Sequence, residues 1–158
     1  MLPTRTALSC LARSCCINAA VTARGMQQLG LLFALEPALR HLYPEAEARA
    51  QAATHYSAHS NTHPYMLPFY VGTVLSLENL IAAGSLPGST VPVVRQTLGS
   101  TLSAIGDGFF EGALLPCWSL LCVALLAGDC IGLALLVTVL LILALLAFRC
   151  CSFFYALN

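Results

Sequence analysis

The chain contains no lysine, and only 9% of its residues are charged. A soluble domain carries roughly 25% charged residues. So few charges cannot cover the surface of a water-soluble globule of 158 residues, and the mean hydropathy of +0.81 agrees. Seven arginines balance seven acids, so there is no basic excess of the kind that marks a nucleic-acid partner. The sequence also lacks a Ser-His-Asp set, a phosphate loop and a nucleotide fingerprint. A secretory leader is not expected, because Arg13 and Asn18 interrupt any apolar core after Ala7-Leu8-Ser9-Cys10. Eight cysteines are present, yet Cys15–Cys16 and Cys150–Cys151 are vicinal, and Cys117, Cys122 and Cys130 sit in or beside apolar runs. They read as small apolar residues rather than a disulfide framework.

The charge that exists is unevenly placed. Arg5, Arg13, Arg24, Arg40 and Arg49 all precede Met66, whereas Asp129 is the one charged residue between Gly112 and Phe148. The expected class is all-α, an integral membrane protein with amphipathic N-terminal helices followed by an apolar helical hairpin. The chain reads as one domain over 1–158, with a semi-polar helical part (1–60), a mixed membrane-associated part (61–112) and an apolar hairpin (113–149). Helix is predicted from Thr4 to Leu42, restarted or kinked at Glu36-Pro37, and again from Pro44-Glu45-Ala46-Glu47 to about Ser60. Asn61-Thr62-His63-Pro64 is a break, since proline pushes the preceding residue out of helical geometry. Met66 to Ala83 follows as an apolar segment, then a Gly/Pro/Ser/Thr loop over 84–92.

Val93 to Phe110 is rich in small residues and reads either as a close-packing helix or as a flexible loop. Leu114 to Ala127 reads as a tilted span begun near Phe109 or as a re-entrant half-helix. Gly128-Asp129 is a turn. Ile131 to Phe148 carries no charge, and at about 1.5 Å per residue it covers roughly 27 Å, close to the hydrocarbon thickness.

Two constellations carry candidate chemistry. His55, His59 and His63 are four apart, so on one continuous helix they would share a face and the first two could bind a metal; solvated histidines are the other reading. Asp107 and Glu111 flank Gly108-Phe109-Phe110 one turn apart. Carboxylates at membrane depth are costly and face a cavity or the bundle interior, unless both lie at the interface.

An ordered set of motifs points further. Met26-Gln27-Gln28-Leu29-Gly30 is followed by Ala38-Leu39-Arg40-His41-Leu42-Tyr43-Pro44, Asn61-Thr62-His63-Pro64-Tyr65 and Leu77-Glu78. Ile105-Gly106-Asp107, Phe109-Phe110 and Gly112-Ala113-Leu114-Leu115-Pro116 come after them. In order and spacing, from about Arg13 to Arg149, they resemble the IID component of the mannose/fructose/sorbose class of bacterial sugar phosphotransferase systems. The resemblance implies a subunit in the bacterial inner membrane that helps a IIC partner translocate a hexose. IIA and IIB phosphocarriers hold the phosphohistidine, so this chain would need no catalytic residue and no cofactor. Lipid contact and an oligomeric assembly are expected as well, because the small-residue face from Gly99 to Gly108 suits a partner helix.

Family members are nearly twice as long, so the resemblance also implies a domain incomplete at its C-terminus. The arginines before Met66 place the N-terminus in the cytoplasm. Asn61, Thr62, His63, Asp107 and Glu111 are the candidates for the substrate path or partner contact. The alternative functions are a non-transporting structural remnant of such a subunit and a metal-binding membrane protein using the histidine row.

Overall fold

Proline, glycine and hydroxyl side chains punctuate a succession of helices. The computed structural model describes residues 2–158. Their elements are α1 (Thr4–Ser14), a 3₁₀ turn (Ile17–Ala20), α2 (Gln28–Leu42), α3 (Ala46–Thr54), α4 (Leu67–Ala82), α5 (Thr90–Gly106), a π-helical segment (Asp107–Leu114), α6 (Leu115–Ala127) and α7 (Ile131–Leu157). Extended pairing among the described residues is confined to two isolated bridges, Thr22 with Met26 and Met26 with Ser60.

Several expected boundaries move, each for an identifiable reason. The predicted helix over 4–42 is two helices. Ser14 donates its hydroxyl back to the Leu11 carbonyl at 2.6 Å, and the chain leaves α1 for a loop tied to a distant segment. In that loop Gln27 N donates to Ser60 O at 2.9 Å and Ser60 N to Gly25 O at 3.2 Å. Pro37, by contrast, does not restart α2, which runs through it. Proline lacks the N–H that would bond the carbonyl four residues back. That carbonyl belongs to Phe33, and Arg13 Nη1 supplies the donor instead at 3.1 Å while pairing with Glu36 at 2.9 Å. The predicted helix to Ser60 ends at Thr54, because Tyr56 turns into the core.

Further along, the predicted loop over 84–92 is shorter. Gly84 takes a positive φ of 75° and Pro92 falls in the first turn of α5, where backbone N–H groups have no helical partner. The small-residue stretch is helix, not loop. It joins the segment after it, so that Thr90–Ala127 is a continuous helix of 38 residues rather than a half-helix. The wider π turns lie just before Pro116, where the regular ladder is already interrupted.

α4 is the centre of the packed region. Leu67, Tyr70, Val71, Val74, Leu75 and Glu78 recur at helical spacing and are all buried. They meet α1 and α2 on one side and the C-terminal half of α7 on the other, where Phe153 is fully buried. Gly72 permits that crossing, since a Cβ there would lie 2.5 Å from the Phe153 carbonyl oxygen. Two helices, Thr90–Ala127 and Ile131–Leu157, are long and apolar enough to cross a membrane. Gly128-Asp129 turns between them, with Asp129 at φ 57°. Leu120, Val123, Leu135, Val139, Leu140 and Leu143 leave this hairpin apolar and exposed, a face suited to lipid.

Candidate functional site

The break after α3 is built by a side chain 35 positions away in sequence. The carboxamide of Gln27, itself buried, pairs with both backbone groups of Thr62. Its Oε1 accepts from Thr62 N at 2.8 Å, and its Nε2 donates to Thr62 O at 2.8 Å and to Asn18 Oδ1 at 2.9 Å. Backbone that has left the helix ladder is thereby satisfied without a strand.

His63 follows, 3% exposed. Its ring stacks on Phe110 with centroids 5.2 Å apart and planes 9° from parallel. It lies over Gly106, where any Cβ would collide with the imidazole side chain. Nδ1 accepts from the Tyr65 backbone N–H at 3.3 Å, so the neutral ring carries its proton on Nε2. Nε2 has no hydrogen-bond partner and faces Glu111 Oε1 at 3.6 Å.

The π-helical segment brings the acids to this break. Asp107 opens it and accepts from Ser103 Oγ at 3.5 Å, while Glu111 lies one turn on. Asn61, Thr62, His63, Asp107 and Glu111 line one cavity of about 260 Å³, so the five residues singled out from the sequence are brought together. Asn61 and Asp107 also border a larger cavity of about 510 Å³ with Arg95, Gln96, Ser100 and Ser103. Gln27 and Arg95 were missed as site residues. Gln27 had a signal in its motif, but Arg95 stood in an apparently loose stretch.

The histidine row does not form. α3 ends before His55, His59 lies in the following loop, and His63 is turned under Phe110. Among the described residues no three His, Cys, Asp or Glu side chains are grouped to hold a metal. All eight cysteines are free.

Glu78 is fully buried and accepts from two phenols, Tyr43 at 2.7 Å and Tyr56 at 2.5 Å. Burial first, and then Glu78, push both tyrosine pKa values above their ordinary range. Burial likewise pushes the Cys10 thiol between α1 and α2 up to about 11.

Comparison with known proteins places this arrangement. The family model described as "PTS system mannose/fructose/sorbose family IID component" matches residues 1–157. The PTS system mannose-specific EIID component of Escherichia coli (strain K12) is 35% identical over 98 residues, covering 61% of this chain and 35% of that protein. The same component from Escherichia coli O157:H7 aligns with the same identity and coverage. Among solved structures, the mannose transporter ManYZ in complex with microcin E492 (MceA) matches with a TM-score of 0.88 and 29% identity, over 99% of this chain and 58% of that one. A second solved membrane protein matches with a TM-score of 0.85 and 28% identity, over the same shares. The chain thus spans little more than half the length of these solved relatives. With a family match over residues 1–157 and the same helical frame, the chain belongs to the IID components of the mannose/fructose/sorbose class of PTS systems.

Proposed function

We propose that this chain is the membrane subunit of a mannose-type phosphotransferase permease, working beside a IIC partner to translocate a hexose coupled to its phosphorylation. The observation that carries the reading is the convergence of Asn61, Thr62, His63, Asp107 and Glu111 on one cavity at a non-helical break. Irregular backbone between apolar helices is tolerated where it lines a cavity or a protein interface. The groups gathered there suit hydroxyls. The Asn61 amide both donates and accepts, the carboxylates of Asp107 and Glu111 accept, and the unpartnered His63 Nε2–H donates.

In this reading the phosphohistidine stays on soluble IIA and IIB partners. The IIC subunit covers the exposed face of Thr90–Ala127, and lipid or a second copy covers the rest. The N-terminus lies in the cytoplasm of a bacterium and the helices sit in its inner membrane, by the distribution of arginine. The test is hexose uptake by proteoliposomes holding this chain with a IIC subunit. Asn61→Ala and Asp107→Ala should each lower uptake or assembly, and wild-type behaviour of both rejects the assignment.

A further inference from the structure

We propose that the larger cavity is a subsite for a phosphorylated sugar, with its phosphoryl group held by Arg95; this rests on the permease reading above. Arg95 stands in the second turn of α5 and is only 5% exposed. A guanidinium keeps its charge at any ordinary pH and carries five N–H donors. Here Nη1 donates to the Ala58 carbonyl at 3.1 Å and the Tyr70 phenol lies beside the guanidinium, while the buried Nε has no acceptor. Among the described residues no carboxylate lies within 4.0 Å of it: the arginine–carboxylate pairs are Arg13–Glu36 and Arg40–Glu36, and Glu111 faces His63. A buried cation without an anion is costly, and a side chain that borders an open cavity can recover that cost from a ligand.

The cavity fits such a ligand. Its volume of about 510 Å³ falls within the range of about 300–1,000 Å³ usual for small-molecule sites. Gln96, Ser100, Ser103 and Asp107 follow one another along a single face of the long helix and line the wall beyond Arg95. Asp107 is twelve residues from Arg95, about 18 Å along the axis, too far to neutralise the guanidinium or to repel an anion seated on it. One end of the groove is therefore bounded by a guanidinium without a carboxylate partner, and the middle presents hydroxyls and an amide. A phosphomonoester on a polyol matches both, and arginine's planar fork suits phosphate oxygens. A neutral sugar would leave the cation unmatched.

The experiment is calorimetric titration of the purified full chain in neutral detergent with mannose 6-phosphate, mannose and inorganic phosphate. Mannose 6-phosphate should bind at least about tenfold more tightly than either of the others. Arg95→Gln should abolish that preference and leave mannose affinity unchanged, and Arg95→Lys should restore part of it. Ser100→Ala, on the open wall, should weaken the phosphorylated ligand severalfold whether or not the Arg95 variants fold. Equal affinity for mannose and mannose 6-phosphate, equal affinity for inorganic phosphate, or a preference that survives Arg95→Gln overturns the proposal. Displacement of mannose 6-phosphate by phosphatidylglycerol would assign Arg95 to a lipid headgroup and overturn it too. Hexose uptake by the complex tells the two readings apart: uptake without anion preference defeats this subsite alone, and absence of uptake defeats the permease reading.

Discussion

Glu78 ties the N-terminal helices together through two phenols. Its two oxygens accept hydroxyls from Tyr43, which follows α2, and Tyr56, which follows α3, while Glu78 itself sits on α4. Glu78→Ala leaves two phenols without their acceptor, and a buried unpaired polar group costs about 1–3 kcal/mol. The substitution should lower the melting temperature in detergent well below that of Glu78→Gln, whose amide oxygen still accepts. The same triad sets a pH window. Tyr56 binds its proton more tightly in the fold than in the unfolded chain, where the ordinary value is 10.0. Its stabilisation is complete below that value and is lost as pH rises above it. Thermal stability should fall in the alkaline range, and more shallowly in Tyr56→Phe, which starts from a lower plateau. A parallel slope in both proteins would show that Tyr56 is not the group responsible.

At the scale of elements, two glycines control how helices meet. Gly72 lets α7 cross α4, and Gly106 makes room for His63 under α5. Gly72→Ala forces a methyl against backbone, and overpacking of this kind costs about 1–3 kcal/mol. It should reduce the stability of the packed region. Gly106→Ala should act differently, dislodging His63 from its stack on Phe110 and lowering uptake while the hairpin stays folded. Circular dichroism beside uptake separates the two effects, and equal loss of helix in both variants would contradict the distinction. The helix pair 90–127 and 131–157 was half legible beforehand. A run without charge and a Gly-Asp turn are local signals, whereas the continuity through Asp107–Leu114 depends on π turns that no apolar periodicity records.

At the scale of the whole molecule, two long helices and the shorter apolar α4 cannot by themselves wall a hexose path on all sides. Glu111 and Asp107 are exposed on the long helix, where facing lipid would be costly, and the permease reading puts a protein neighbour there. Liposomes holding this chain alone should take up no hexose, and addition of a IIC subunit should bring uptake on. Uptake by the lone chain would refute the two-subunit path. Arg149 Nη1 donates to the Pro64 carbonyl at 3.2 Å, so the end of the last span lies beside the break. With five arginines before Met66, both flanks of the hairpin are expected in the cytoplasm. A reporter fused after Asn158 should be active in the cytoplasm, and activity confined to the periplasm would reverse this orientation.

The sequence by itself determined the membrane class, the apolar span over Ile131–Phe148 and its preceding turn, and the break at Pro64, because each depends on residues adjacent along the chain. Its ordered motifs also carried the family. What only the tertiary structure decided was how those pieces are held. The Gln27 clamp on Thr62 and the Tyr43–Glu78 bond each join residues 35 positions apart, and Arg95 reaches Ala58 across 37. Local spacing cannot encode such pairings, since any of several polar side chains could have met the same freed backbone group or buried charge. The buried cation beside an open polar groove is therefore visible only once α5 has packed against the loop before α4.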